Sequence, residues 1–463
     1  MCYEEPIMTD SRTQAVEYVR HNQETILNNL KTLVTIPSVS THPHNKPDML
    51  AAARWLVDEL HRIGIPRAEV METAGHPVVY GEWLGAGPGA KTILVYGHYD
   101  VQPAEPLELW HSGAFAPEIR GENLYGRGTS DMKGQIIASL AAVEAALKQG
   151  PLPVNLKFIL EGEEEIGSPS LPAFLREHKD LLSCDVALNP DAGMIAPDVP
   201  TIVYALRGLA YFELRVYGPS GDLHSGLFGG VVHNPAQVLC DLIAGMHDGQ
   251  GRITLPGFYD SVRALPEEER RELARLPMDE NYYKQQTGVS EIWGEEGYSP
   301  SERVGARPTL EVNGLLSGFT GQGSKTVLPA HAMAKISMRL VPDQDPKEVH
   351  KQLIAYLEAH APNTVRWELD AMAGGTASIS DPHHPATEAL ANALEQVWGK
   401  RPVYKREGGS VPVVADMKKI LDIESVLTGF GLPDDNLHAP NEKLHLPTWY
   451  KGIEALVHFL YNL

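Results

Sequence analysis

The stretch Ile93-Leu94-Val95-Tyr96-Gly97-His98-Tyr99-Asp100 decides the fold, because an apolar run leads directly into a histidine and an aspartate. Such a run is typical of a buried strand. In open α/β sheets, ligand-binding groups gather at the carboxyl ends of strands, which is where His98 and Asp100 lie. Asp100 comes two residues after His98, so its carboxylate can orient a metal-bound imidazole. A buried structural pair of histidine and aspartate explains this segment equally well.

Segments with strand and helix patterns alternate on both sides of this stretch. A helix that Ser11 can cap is expected to run to Ile36, and further helices are expected over 49–63 and from Gly134. Strands are expected over 77–83, 92–99, 154–160, 185–189, 201–206 and 423–427. This alternation predicts an α/β domain in which helices flank a mostly parallel sheet.

The pattern changes after residue 206. Half-exposed strands are expected over 209–217, 332–341 and 365–371, with helices from Pro235 and over 347–360 and an irregular insertion over about 250–305. These elements predict a smaller α+β domain, residues 207–376, that interrupts a first domain made of residues 1–206 and 377–463.

Charge and cysteine content exclude several classes of protein. The 463 residues carry a net charge of −21, with 60 acidic against 39 basic residues, so a nucleic-acid partner is not expected. Three cysteines without a CxxC spacing argue against a disulfide framework. The first residues lack the pattern of a signal peptide, and no apolar run reaches the ~18 residues that cross a bilayer. We therefore expect a cytoplasmic protein with no membrane partner.

Further candidate ligands lie near other predicted elements of the first domain. Three of them follow predicted strands: the acidic run Glu161–Glu165, then Asp191, and then His438. The fourth, Asp131, precedes the helix that starts at Gly134. Taken singly, each has an ordinary explanation as a helix cap, a solvated acidic run or a turn residue. Taken together, two histidines and three carboxylates form a nitrogen and oxygen ligand set suited to zinc, manganese or cobalt.

Four segments in order resemble the signatures of the carnosinase, carboxypeptidase G and acetylornithine deacetylase family: residues 97–101, 128–134, 161–168 and 437–442. Residues 217–226, 325–329 and 406–410 match as well, so the resemblance covers nearly the whole chain. The long second domain and the 406–410 run are similar to the carnosinase and Cys-Gly dipeptidase branch.

The resemblance implies a dinuclear metal-dependent hydrolase that cleaves the peptide bond of dipeptides or short peptides through a metal-bridging water. Asp131 would bridge two divalent ions, zinc first, with manganese or cobalt as alternatives. His98 and Asp191 would complete one site, and Glu165 and His438 the other. The family pattern also implies a cis peptide bond after Asp131.

Two further roles follow from the same resemblance. Glu164 would be the general base that takes a proton from the bridging water and passes it to the leaving amine. Asp100 would orient His98 without binding the metal itself. The chain departs from the closest dipeptidases at Glu163 and Ile166, and in the residues around Asp191, which leaves the exact substrate open.

The resemblance also implies that the second domain is a lid that forms a homodimer. His224 would reach the active site of the partner and steady the oxyanion, although in the sequence it is only a histidine in a glycine-rich turn. The substrate-binding residues would be Asn313, Thr326, Arg339 and Ser410, with Arg339 able to clamp a terminal carboxylate.

Two alternative functions remain open from the sequence. One is an N-acyl-amino-acid deacylase of the same family, which would use the same metal ligands on a different amide. The other is a catalytically inactive relative that serves as a binding protein. The intact set of candidate ligands argues against the second alternative.

Overall fold

The computed structural model describes residues 10–409 and 411–463; Ser410 and the N-terminal segment with Cys2 lie outside the described residues. Contacts divide the chain into two compact units, residues 1–204, 380–404 and 413–463, and residues 205–379 and 405–412. The sequence placed the boundaries after residues 206 and 376. It also assigned residues 405–412 to the first domain, whereas they group with the second unit.

The first unit is built on a mixed sheet. Its strands lie in the order Arg67–Met71, Val78–Trp83, Asn155–Glu161, Thr92–His98, Val186–Asn189, Glu424–Leu427 and Thr201–Leu206. The middle four of these strands are parallel, and the outer pairings are antiparallel. The α/β class is confirmed, but the sheet is only parallel at its centre. Arg67–Met71, which is short and partly exposed, forms a hairpin that the sequence pattern did not indicate.

The four parallel strands place the candidate ligands at one edge of the sheet. Because neighbouring parallel strands end at the same edge, the residues that follow them lie close together. Glu164 and Glu165 follow Asn155–Glu161, His98 ends its own strand, Asp191 follows Val186–Asn189, and His438 follows Glu424–Leu427. The sequence order of these segments differs from their order in the sheet, so only the fold brings them together.

Helices pack around this sheet: Ser11–His21, Gln23–Val34, Lys46–Ile63, Lys133–Leu147, Leu171–Glu177, Pro385–Trp398 and Leu446–Asn462. The helix Lys133–Leu147 is buried from Lys133 to Ala146, as expected for a central helix with apolar residues on most of its faces. Short helical turns cover Pro43–Asn45, Leu107–Leu109, Glu164–Ile166, Pro412–Asp416 and Met417–Leu421. A small sheet joins Glu118–Arg120, Asn123–Tyr125 and Lys443–His445.

The single helix expected from Ser11 to Ile36 is wrong in two respects. Asp10, not Ser11, caps the first helix, since its carboxylate accepts the N–H of Thr13 at 2.7 Å. The helix then ends at Asn22, whose side-chain amide donates a hydrogen bond to the carbonyl of Tyr18 at 2.8 Å. An asparagine that bonds its local backbone in this way ends one helix and starts the next.

The second unit contains a four-stranded antiparallel sheet in the order Thr309–Ser317, His331–Leu340, Gly208–Tyr217 and Arg366–Gly375. Gly208–Tyr217 alternates buried and partly buried residues, and Pro235–Ala244 and Pro346–His360 pack against the sheet to form a core of its own. The edge strand Thr309–Ser317 was not predicted, because it is mostly exposed and does not alternate.

The remaining elements of the second unit are short. The strands Leu223–His224 and Val327–Leu328 pair with each other. Two other short strands, Ser378–Ile379 and Val403–Glu407, pair with Thr201–Leu206 and so belong to the mixed sheet. Four further helices are Ser225–Phe228, Glu267–Leu273, Glu280–Thr287 and Pro300–Gly305. The region 250–305, expected to be irregular, therefore contains three helices separated by loops. Among the described residues, no helix combines the length and apolar character needed to cross a bilayer.

Candidate metal centre

Asp131 lies between two histidines at the sheet edge. Its Oδ1 is 3.1 Å from Nε2 of His98, and its Oδ2 is 3.0 Å from Nε2 of His438. The two oxygens of one carboxylate therefore face two different imidazoles, as a carboxylate that bridges two ions would.

Two further carboxylates lie one on each side of Asp131. Oδ2 of Asp191 is 3.8 Å from Nε2 of His98, and Oε2 of Glu165 is 3.3 Å from Nε2 of His438. His98, Asp131 and Glu165 each offer a ligand atom within 4.8 Å of the others. The structure thus brings together all five residues that the resemblance implied as metal ligands.

The orientation of the His98 ring is compatible with metal binding through Nε2. Its ring Nδ1 lies 3.0 Å from the carbonyl oxygen of Asp100, and a carbonyl can only accept a hydrogen bond. Nδ1 therefore carries the proton, and in a neutral ring Nε2 presents a lone pair toward the carboxylate of Asp131. A lone pair and a carboxylate at this distance repel unless a proton or a metal ion lies between them, so the donor set fits a metal site.

Asp100 holds the segment that carries Glu164 and Glu165. Its side chain is fully buried, and its two oxygens accept the backbone N–H groups of Glu164 at 3.2 Å and of Glu165 at 3.1 Å. Asp100 therefore contacts His98 through its carbonyl and the acidic turn through its carboxylate. Gln102 adds a hydrogen bond of 2.8 Å to the Glu165 carboxylate, a contact that the sequence did not suggest.

The carboxylates of the cluster have strongly shifted pKa values. Burial raises the pKa of Glu164 to about 9, that of Glu165 to about 7 and that of Asp191 to about 6, and neighbouring acids contribute to each shift. Burial also raises the pKa of Asp131, but the hydrogen bonds with His438 and His98 outweigh it and hold that pKa below its usual range. Bound cations would reverse the upward shifts, because they favour the charged carboxylates.

Glu442 is a buried residue that organises the loop before the metal cluster. The sequence motif 437–442 contains it, but no role was predicted for it. Its carboxylate accepts the backbone N–H groups of Gly128, Ser130 and Asp131 at 2.9, 3.0 and 3.1 Å. Arg127 donates to it at 2.7 Å, and both side chains are almost completely buried. These contacts fix the loop that presents Asp131. The peptide bond between Asp131 and Met132 is cis, as the resemblance implied.

The other expected site residues lie in the second unit. His224 is exposed, and its Nδ1 accepts the N–H of Gly226 at 3.0 Å. The carbonyl of the exposed Thr326 accepts the N–H of Ser225 at 3.0 Å. Thr326 therefore lies beside the residue that follows His224. Asn313 and Arg339 line one cavity of about 440 Å³. Ser410 lies outside the described residues.

The cavity that Asn313 and Arg339 line has a further positively charged side chain, which was not predicted from the sequence. Arg207 lines it, and its Nη1 is buried without a hydrogen-bond partner. Burial, together with the charge of Arg339, lowers the pKa of Arg207 to about 10. Four arginines and two glutamates line this cavity, and this excess of positive charge favours an anionic ligand there.

The nitrogen and oxygen cluster at the edge of the α/β sheet is a candidate metal site, and the family match identifies the protein as a metallopeptidase. Residues 94–462 match the model of peptidase family M20/M25/M40, and the chain belongs to this family. The Cys-Gly metallodipeptidase DUG1 of Candida albicans is 32% identical, with 93% of each chain covered. The Beta-Ala-His dipeptidase of Homo sapiens is 31% identical, and the alignment covers 96% of this chain and 92% of the human protein.

A solved structure shares both domains of the fold. The M20 family metallo-carboxypeptidase Sso-CP2 from Sulfolobus solfataricus superposes with a TM-score of 0.83 at 33% identity, and covers 94% of this chain and 98% of its own. The recognition of the family from four short motifs is therefore confirmed.

Proposed function

We propose that this protein is a dinuclear metal-dependent dipeptidase. The observation that carries the proposal is the position of Asp131, whose two oxygens face the imidazoles of His98 and His438. The similarity to a Cys-Gly metallodipeptidase and to a Beta-Ala-His dipeptidase, each aligned over nearly the whole of both chains, supports a peptide substrate.

Two divalent ions would be held around Asp131, zinc first, with manganese or cobalt as alternatives. His98 and Asp191 would hold one ion, and Glu165 and His438 the other. When bound, the ions would polarise the scissile carbonyl and lower the pKa of the attacking water.

Glu164 is proposed as the group that moves the proton. It belongs to the same turn as Glu165, but its carboxylate makes none of the contacts to Asp131 or the histidines that define the cluster. With cations beside it, Glu164 is ionised and can accept a proton from the water. It then donates this proton to the nitrogen of the leaving amine, so that a free amine departs. Asp100 fixes the position of Glu164 relative to His98, because it forms hydrogen bonds with both segments.

The substrate is proposed to be held by residues of the second unit. Arg339, with Asn313 in the same cavity, would bind the terminal carboxylate of the peptide, while Thr326 and Ser410 would add hydrogen bonds. A panel of Xaa-Gly dipeptides and matched N-acetyl amino acids tests the choice of substrate. We expect higher kcat/KM values on the dipeptides; higher values on the N-acetyl amino acids would make the protein a deacylase instead.

The protein is proposed to form a homodimer in which His224 acts on the active site of the partner subunit. His224 is exposed, and beside it Leu227 and Val231 are 74% and 85% exposed, an apolar surface of the kind that a partner chain covers. This apolar surface of the second unit would then serve as the dimer contact.

Hybrid dimers test the role of His224. His224→Ala and Glu164→Ala homodimers are each expected to be inactive. A 1:1 mixture should regain about a quarter of the wild-type rate, because about half of the dimers are then hybrids and one of the two sites in each hybrid carries both residues. The assay is dipeptide turnover after the subunits have exchanged, which native mass spectrometry confirms. A mixture that contains hybrid dimers but stays inactive contradicts the role in trans.

Metal removal is expected to destabilise the protein more at high pH than at low pH. The pKa values of Asp191, Glu165 and Glu164, about 6, 7 and 9, are raised above their unfolded values. Stability of the metal-free protein is therefore lost as the pH rises through these values, because like charges accumulate in the cluster. The affinity for metal increases over the same pH range, since the ligands must be deprotonated to bind it.

The corresponding measurement is the difference in Tm between metal-loaded and metal-stripped protein. We expect this difference to increase from about pH 6 to about pH 8.5, the range set by the same carboxylates. A difference that is constant or that shrinks across this range would contradict the proposed ligand set.

A further inference from the structure

Glu163 differs from the two glutamates that follow it. Its side chain is only 4% exposed, and it bonds backbone groups of two other segments rather than the metal cluster. Oε1 accepts the N–H of His76 at 3.0 Å, and Oε2 accepts the N–H of Ser170 at 3.0 Å. A buried carboxylate is costly unless it is hydrogen-bonded, and both oxygens of Glu163 are satisfied by the backbone.

Gly75 allows this close approach. A Cβ atom at position 75 would lie 1.7 Å from Oε1 of Glu163 and 2.7 Å from its Cδ. Any larger residue would therefore displace the Glu163 carboxylate. The loop before His76 is also braced, because Thr73 Oγ1 donates to the carbonyl of His76 at 2.7 Å and accepts the N–H of Gly75 at 3.0 Å. Glu163 is thus anchored to an ordered loop.

The turn Glu164–Ile166 lies between two buried carboxylates. Asp100 accepts the N–H groups of Glu164 and Glu165, as described above, while the Glu163 carboxylate holds the start of the turn from outside the cluster. The carbonyl of Glu163 also accepts the N–H of Ser168 at 2.7 Å, which closes the loop. A single short turn has little helical stability of its own, so its position depends on these anchors.

We propose that Glu163 is a positioning residue, whose bonds to His76 and Ser170 set where Glu164 and Glu165 stand relative to Asp131. This inference rests on the proposed function, because Glu164 and Glu165 are taken as the base and a metal ligand. It also explains why an acid occupies a position where the resemblance leads us to expect an apolar residue. An apolar side chain could fill the space but could not bond either backbone N–H.

Four variants test the positioning role. Glu163→Ala removes both hydrogen bonds, and Glu163→Gln keeps one acceptor oxygen. Gly75→Ala leaves the carboxylate but displaces it, and the double variant combines Gly75→Ala with Glu163→Ala. The matched control is Glu177→Gln, which removes the charge of an exposed glutamate in the same unit. The readouts are kcat and KM on a dipeptide, metal affinity by competition with a chelator, and Tm.

Glu163→Ala is expected to lower kcat by about 100-fold with KM within about threefold, the effect of misplacing a catalytic group by about 1 Å. Metal affinity should fall as well, and Glu163→Gln should recover part of both losses. The double variant should be no worse than Glu163→Ala, because Gly75 acts through the carboxylate. The control should match the wild type.

Two results would overturn the proposal. One is a folded Glu163→Ala or Gly75→Ala variant whose kcat and metal affinity stay within twofold of the wild type. The other is a fall in Tm without any change in kcat or metal affinity, which would make Glu163 a purely structural residue. If the wild type itself hydrolyses no dipeptide, the proposed function fails, and the comparison of metal affinities still decides the role of Glu163.

Discussion

Replacing Glu164 with alanine is expected to lower kcat by about 10²–10⁴-fold, the range for losing a general acid–base residue. The variant should still bind two metal ions, because Glu164 is not among the ligands proposed around Asp131. The backbone N–H of residue 164 remains in place to bond Asp100, so the turn should keep its position. The measurement is kcat on a dipeptide together with the metal content per chain.

Glu177→Gln is a suitable control for Glu164→Ala, since it changes an exposed glutamate away from the cluster. A Glu164→Ala variant that keeps more than about a tenth of the wild-type kcat would contradict the assignment of the base, given the loss expected for such a group. Loss of metal from the same variant would instead move Glu164 into the set of ligands.

Replacing Asp131 with alanine is expected to abolish activity by removing the metals. Among the described residues, its carboxylate is the group that faces both histidines of the cluster. Without it, either ion would keep two of the proposed protein ligands, too few for a stable site of this type. Metal content below about 0.2 ions per chain, with kcat at the level of the blank, is the expected outcome of this loss.

Asp131→Asn provides the comparison for this variant. The amide keeps the shape and one acceptor oxygen but loses the charge and the second acceptor, so it should bind metal more weakly than the wild type and more strongly than alanine. Two ions per chain in Asp131→Ala, measured after dialysis, would exclude Asp131 as the bridging ligand.

The sequence was sufficient to predict the central part of the fold and the clustered residues. Strands such as Thr92–His98 and Asn155–Glu161 are buried along most or all of their length, so a largely apolar pattern marks them. The residues after these strands meet because parallel strands end at one edge. The roles assigned to the clustered residues remain predictions.

The elements that the sequence missed lack a strong pattern of their own. Arg67–Met71 and Thr309–Ser317 are edge strands with exposed side chains, so tertiary pairing rather than local periodicity defines them. Asn22 ends a helix through one side-chain bond to the backbone, inside a stretch whose apolar spacing continues on both sides.

The buried acids around the cluster could not be distinguished from solvated ones by residue type. Glu442 and Glu163 bond backbone N–H groups of segments distant in sequence, such as Ser130 and His76. Acidic residues near a motif are usually exposed, so nothing local in the sequence marks a buried one. Only the three-dimensional structure identifies their partners.

Titration of metal into stripped protein tests the central claim most directly. Dipeptide hydrolysis is measured as zinc or manganese is added to protein depleted by a chelator. The dinuclear site around Asp131 predicts that activity is absent without metal and reaches its maximum only as the second equivalent binds. Full activity in the stripped protein, or saturation of binding below one ion per chain with no hydrolysis, would contradict a dinuclear dipeptidase.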